Sequence, residues 1–179
     1  MRKVILKMHV SIDGYIRGNN EVGVDWIFKT HDDELQTWEV DLLSKAGTHV
    51  MGKNLYDEMA AYWPNSTEVY APPMNEISKV VFSKSMKHAD WKGTKVINGD
   101  VAEGIAQLKE ESGKDILVHG GAAFVHSLSK LGLIDEYRLI VHPIALGGGL
   151  PLFKEKIDMK LLSVKSFQAG VVLLVYKGI

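Results

Sequence analysis

The chain has no cysteine among its 179 residues. That absence excludes disulfides, thiolate nucleophiles and cysteine-ligated zinc, and with them a zinc nucleobase deaminase, whose metal needs cysteine ligands. No apolar stretch approaches the roughly 18 to 20 residues of a bilayer-spanning helix. The opening Met1-Arg2-Lys3 leads into a short strand-like run rather than a signal peptide, so a cytoplasmic location without a membrane partner is expected. Lysine and arginine never gather into a run and the net charge is −1, which leaves no electrostatic footprint for nucleic acid. Seven histidines are scattered at positions 9, 31, 49, 88, 119, 126 and 142. None stands at the i, i+4 spacing of a helical metal pair; they read as structural or ligand-rim residues, and no metal is expected.

What is present reads as an ordinary folded chain, 46% hydrophobic and 24% charged, of a length that fits one domain over residues 1–179. Val4 to Val10 is nearly continuously apolar, as a strand buried on both faces should be. A turn-rich loop from Ser11 to Gly23 follows. Thr30 and Asp33 stand at capping-box spacing before a helix with Leu35, Trp38 and Leu42 on one face, ending by Gly47. His49 to Met51 is a short strand, and Gly52 precedes a small helix through about Ala61. Pro64, Pro72 and Pro73 bracket an expected loop. Strands are expected at Val80 to Phe82 and Lys95 to Ile97, then a helix capped by Asp100. The strand at Ile116 and a helix to Gly132 continue this alternation, which implies parallel strands joined by helical crossovers. After Asp135 three strands follow without a helix, Tyr137 to Ile144, Leu161 to Phe167 and Val171 to Tyr176, the last two joined at hairpin length. The sheet is therefore mixed, parallel early and antiparallel at its C-terminal end.

The stretch Ile116-Leu117-Val118-His119-Gly120-Gly121-Ala122-Ala123-Phe124 carries the strongest chemical signal. Paired glycines allow a sharp turn and close backbone approach, and the helix behind them offers free N–H groups and a positive dipole end to an anion. By itself the pair also fits a purely structural turn, since it lacks the spacing of a dinucleotide fingerprint or a P-loop. Two further strand ends strengthen the ligand reading: Gly52-Lys53-Asn54 and Ser83-Lys84-Ser85 add backbone access, hydroxyls and cations where open α/β sheets bind ligands.

These residues also carry a resemblance. In order, Ser11-Ile12-Asp13-Gly14-Tyr15-Ile16, Met51 to Tyr56, Phe82-Ser83-Lys84, Gly120-Gly121, Leu133 to Glu136, Pro143, Gly147-Gly148-Gly149 and Leu152-Phe153 resemble the dihydrofolate reductase-like superfamily. Within it, the chain is most similar to the C-terminal reductase domain of the bifunctional riboflavin-biosynthesis deaminase/reductase. The resemblance implies a three-layer α/β/α fold with a mixed central sheet, NADPH as hydride donor, and a homodimer. It implies that Gly52, Lys53, Asn54 and Leu55 hold the cofactor's phosphates, and that Ser83, Lys84 and Ser85 lie near its adenosine ribose and 2′-phosphate. Gly120 and Gly121, often joined by a cis peptide in the family, would lie against the cofactor with Ala122, Ala123 and Phe124 behind them. Val10 and Ile16 would flank the nicotinamide.

Three departures from the family pattern bear on chemistry. Lys53 replaces a frequent arginine, so a planar fork becomes a point charge, and Leu55 replaces a frequent threonine. Counting back from Gly52 places Gln36 where folate reductases carry the acid that protonates the pterin. Asp32, Asp33 and Glu39 could take that role only if the helix shifted, and Asp32 and Asp33 read first as a solvated first turn favoured by the helix dipole. Asp13, Trp26 and Gln36 are the candidate substrate contacts, although Asp13 also fits an Asp-Gly turn and Trp26 a core position. No side chain is singled out as catalytic. The function implied is NADPH-dependent reduction of 5-amino-6-(5-phosphoribosylamino)uracil at the ribosyl C1′, with reduction of another small heterocycle or a non-catalytic nucleotide-binding dimer as rivals.

Overall fold

The computed structural model describes residues 1–19 and 22–179; Asn20 and Glu21, inside the loop expected from Ser11 to Gly23, lie outside the described residues. An eight-stranded sheet runs through the centre. Its strands are β1 (Val4–Ser11), β3 (Thr48–Gly52), β4 (Lys79–Phe82), β5 (Thr94–Ile97), β6 (Ile116–Gly120), β7 (Glu136–His142), β9 (Met159–Ser166) and β10 (Val172–Gly178), in the order β5-β4-β3-β6-β1-β7-β10-β9. Strands β5 through β7 are mutually parallel, and β10 returns antiparallel to both β7 and β9. A separate two-stranded ladder joins β2 (Tyr15–Arg17) to β8 (Leu150–Pro151).

Helices cover both faces. Residues of α1 (Asp33–Lys45), α2 (Lys53–Tyr62) and α3 (Ala71–Glu76) pack with Ile5, Met51, Val81 and Leu117 on one side. Residues of α4 (Val101–Glu110) and α5 (Ala122–Lys130) pack with Val4, Leu6, Val50, Val80 and Val118 on the other. Successive strand residues thus enter opposite cores, which is why Val4–Leu6 of β1, Val50–Met51 of β3 and Ile116–Val118 of β6 are apolar at consecutive positions rather than alternating ones.

Two expected local features differ. The cap of α1 is Asp32, whose carboxylate accepts from Leu35 N at 2.7 Å, because the Thr30 hydroxyl is bonded to His142. The proline segment is not all loop: Pro72 and Pro73 occupy the first turn of α3, where a missing N–H costs no intrahelical bond. The C-terminal hairpin explains the apolar run at 171–176, since β10 is interior and β9 forms the edge.

Two buried cations fasten the sheet's N-terminal edge. Arg2 donates to Lys114 O, Leu108 O, Glu111 and Thr48 Oγ1. Lys79, 1% exposed, spends its ammonium hydrogens on the carbonyls of Met74, Asn75 and Ile77, with Trp91 4.7 Å away. Burial lowers its pKa to about 8, and the charge survives because three carbonyls at the end of α3 face it. Lys79→Met leaves those carbonyls unpaired. A loss of about 2 to 3 kcal/mol is expected, read as a lower urea midpoint at unchanged slope.

Candidate functional site

The parallel strands end together on one edge, at Ser11, Gly52, Phe82, Gly120 and His142. Two of these ends, Gly52 before α2 and Gly120-Gly121 before α5, meet in space. A Cβ on Gly121 would stand 3.5 Å from the Gly52 backbone, and one on Gly52 would stand 2.9 Å from Phe124 Cβ. Gly120 and Gly121 make the turn with φ of +126° and +81°, and the peptide between them is trans, so the cis bond implied by the resemblance is corrected: positive φ at both residues supplies the reversal. A one-residue register shift between β3 and β6, with His119 opposite no β3 residue, brings the pair level with Met51.

The capping pattern separates these helices from α1 and α4. Asp32 caps α1 and Asp100 caps α4, whereas α2 and α5 have neither a side-chain cap nor an acid in the first turn. Free N–H groups and the positive dipole ends of two helices therefore converge over adjacent glycine turns, a setting suited to phosphate oxygens. Lys53, half-buried, pairs with Asp57 one turn along α2; Asn54 is exposed and Leu55 half-buried. Ser83 is occupied in its own turn, where its hydroxyl accepts from Ser85 N and Met86 N, while Lys84 and Ser85 are exposed. Ala122 is half-buried, Ala123 exposed and Phe124 buried; Val10 is buried and Ile16 half-buried in the same core.

The candidate substrate residues are less uniform. Asp13 accepts from Ser11 Oγ at 2.6 Å, Leu146 N at 3.1 Å and Gly147 N at 2.7 Å, and these bonds, the serine's first, lower its pKa to about 2. It ties the loop after β7 to the end of β1. Trp26 is buried, with its ring edge-on to His142 at 5.2 Å. Gln36 is half-buried on α1.

The acid that faces the sheet is Glu39, one turn beyond Gln36 and 2% exposed. Its Oε1 lies beside Lys7 Nζ and 3.0 Å from His9 Nε2, yet neither N–H points along a hydrogen-bond direction, so charge rather than a directed bond holds this oxygen. Oε2 lies 3.0 Å from His31 Nε2 and accepts from Tyr70 Oη at 3.2 Å. Burial alone would raise the carboxyl pKa; the Lys7 ammonium, with His31 and His9, outweighs it and holds the group ionised, well below the carboxylate range. Burial and the same carboxylate push the Tyr70 phenol up. Beyond Glu39, His9 Nδ1 is 2.9 Å from His142 Nε2, and His142 Nδ1 is 2.7 Å from Thr30 Oγ1. On neighbouring strands His119 Nε2 lies 2.7 Å from His49 Nδ1. The sequence offered no sign of these long-range pairings.

A family model of the RibD C-terminal domain matches residues 2–173. The chain belongs to that family. The uncharacterized protein YyaP of Bacillus subtilis (strain 168) is 33% identical over 183 residues, spanning 98% of this chain and 94% of its own. The uncharacterized protein YwjB of the same strain is 29% identical, with 95% of each chain covered. A putative riboflavin biosynthesis protein from Shewanella sp. PV-4 shares the fold at a TM-score of 0.80 and 22% identity, over 100% of this chain and 99% of that one. The Thermotoga maritima diaminohydroxyphosphoribosylaminopyrimidine deaminase/5-amino-6-(5-phosphoribosylamino)uracil reductase aligns at a TM-score of 0.72 and 16% identity, over 99% of this chain and 57% of that one. The fold is thus the dihydrofolate reductase-like one, with its mixed sheet and antiparallel C-terminal hairpin.

Two cavities of about 430 and 440 Å³ lie elsewhere, one around Arg2 and Thr94 at the opposite edge of the sheet and one between α5 and Leu152 to Ile157. No helix among the described residues is long and apolar enough to cross a membrane.

The histidines make stability depend on pH. Burial, first among the causes, lowers His49 and His142 to about 4, and it lowers His9 and His119 as well. These folded-state values lie below the unfolded value near 6.5, so the unfolded chain binds more protons in between; the stability is fully present above about pH 6.5 and is lost as pH falls toward 4. For His49 and His142 the loss between pH 6.5 and 5 is about 2 kcal/mol each. Thermal unfolding should therefore weaken steadily over that range, and a flat profile would mean that these rings are not buried neutral.

Proposed function

We propose that this chain is an NADPH-dependent oxidoreductase, a single domain over residues 1–179, that reduces 5-amino-6-(5-phosphoribosylamino)uracil or a closely similar sugar-phosphate heterocycle in the cytoplasm. The observation that carries the reading is the junction of Gly52 with Gly121, where two uncapped helix starts converge at the carboxyl ends of the central strands. Backbone N–H groups of Lys53, Asn54, Leu55, Ala122 and Ala123 would hold phosphates there. Lys84, with the Ser83 and Ser85 hydroxyls, would hold a 2′-phosphate, and Val10 and Ile16 would wall the nicotinamide. When bound, the cofactor supplies the hydride. The protein orients the substrate, and Glu39 with Lys7 offers the polar, water-poor surface at which the accompanying proton is handled.

The placement of Glu39 also favours a second reading, reduction of a different small heterocycle in the manner of folate reductases. An acid on the first long helix does face the sheet, although counting from Gly52 points to Gln36. Turnover decides between the two: NADPH oxidation with the phosphoribosylaminouracil and not with dihydrofolate supports the first. NADPH should bind about tenfold or more tightly than NADH, about 1.4 kcal/mol, through charge-assisted bonds to the 2′-phosphate. Equal dissociation constants at matched salt would reject that assignment.

The functional unit is a homodimer in this reading, built on the edge strand β9, where Leu161, Leu162 and Val164 are 47%, 48% and 56% exposed. Sedimentation equilibrium at micromolar concentration should give twice the 19.9 kDa chain mass, and Val164→Asp should shift the protein toward monomer. A wild-type monomer would remove the dimer from the proposal.

A further inference from the structure

The carboxyl end of β5 contributes differently from its neighbours. Gly52, Phe82 and Ile97 stand in one row across β3, β4 and β5, so the segments that follow them, at Lys53, Ser83 and Asn98, leave the sheet about 4.8 Å apart. Lys53 opens the uncapped α2, whereas Asp100 already occupies the first turn of α4 by accepting from Ala102 N and Glu103 N. What the β5 end offers its neighbour is a side chain. Asn98 Nδ2 donates to Ser83 O at 2.6 Å and to Met86 O at 2.7 Å. Both partners are carbonyls, which only accept, so both amide hydrogens are spent and the orientation of the amide is fixed.

The turn from Ser83 to Met86 is also tied from within. Ser83 Oγ accepts from Ser85 N at 3.2 Å and Met86 N at 3.0 Å, and Ser83 N donates to Ile97 O at 3.1 Å. What the turn leaves over is a set of donors: the Ser83 hydroxyl hydrogen and the exposed Ser85 hydroxyl and Lys84 ammonium. Its base is fixed against the glycine junction. Phe82 stacks on Phe124 with ring centroids 5.1 Å apart and planes at 24°, and Phe124 is the residue packed on Gly52. Gly104 of α4 leaves room for this stack, since a Cβ there would stand 2.6 Å from the Phe82 ring. Asn98 itself is exposed, so its two bonds shape the turn and add little to the core.

We propose that Asn98 is a positioning residue that sets the dinucleotide selectivity of this site, by holding the turn from Ser83 to Met86 in the shape that receives a phosphate monoester. The inference rests on the reading of the chain as an NADPH-dependent reductase, since the 2′-phosphate is the group that NADH lacks. A phosphate is held well only where several donors converge on it, and a turn that must first be ordered spends part of that interaction on its own ordering. Asn98 removes this cost before the ligand arrives. It also engages two carbonyl oxygens that would repel the anion if they swung toward it. Asn98 acts through Ser83 and Met86 and does not touch the ligand.

Calorimetric titration of the full chain with NADPH and with NADH at matched salt tests the assignment. Asn98→Ala should weaken NADPH about tenfold, removing most of the preference over NADH, while NADH binding stays within about twofold of wild type. The same contrast should appear with adenosine 2′,5′-bisphosphate against adenosine 5′-monophosphate, which lack the nicotinamide end. Asn98→Gln keeps the amide on a longer arm that does not reach both carbonyls at once, and should lose part of the preference. The melting temperature of both variants should stay close to wild type, because the side chain is exposed. An Asn98→Ala protein that keeps the wild-type ratio of the two dissociation constants overturns the proposal. Equal weakening of both dinucleotides also overturns it, since it would mark Asn98 as a structural tie alone. If the wild-type protein itself binds NADPH no more tightly than NADH, the cofactor reading falls and the selectivity role falls with it.

Discussion

A single buried carboxylate organises one face of this molecule. Glu39 stands on the covered side of a sheet, where an unpaired charge would cost several kcal/mol, and it must be met there by cations and donors. Lys7, His9, His31 and Tyr70 meet it from three places: two from β1, one from the segment before α1, one from the segment before α3. The carboxylate therefore fixes where two otherwise irregular segments lie against the sheet. His142 and Thr30 extend the same constraint to the end of β7.

The second organising contact contains no side-chain polarity at all. Gly52 and Gly121 touch because neither has a Cβ, and the contact sets the origins of α2 and α5 side by side. The electrostatic consequence comes from the backbone: two dipoles point at one place, while α1 and α4 spend carboxylates on their own caps. Asp13 shows the same economy at the neighbouring strand ends, holding Leu146 and Gly147 by their N–H groups.

The sequence made the backbone part of this architecture readable. Asp100 before Val101, the apolar run ending at Gly120-Gly121 and the strands on either side of Gln168-Ala169-Gly170 each carry a local physical signature, and each formed as its signature requires. The short α3 escaped because Pro72 and Pro73 resemble loop punctuation when the helix they start is only six residues long. The ladder of β2 with β8 is too short to hold a pattern. Glu39 had a usable signal, since it lies four residues after Leu35 and three before Leu42, on the stripe that α1 buries; counting from Gly52 drew attention to Gln36 instead. The pairing of His9 with His142 spans 133 positions and leaves no trace in local spacing.

The edge strand β9 guards itself with charge. Lys160 and Lys165 bracket Leu161, Leu162 and Val164 on an edge whose other side has no strand to pair with. Like charges on two such edges repel when they approach in parallel register, while the leucines and valine attract once they touch. Ionic strength shifts that balance, because salt screens the lysines and leaves apolar contact intact. The colloidal behaviour of this protein should thus run opposite to that of one held together by ion pairs, with association favoured in concentrated salt and dispersal in dilute buffer.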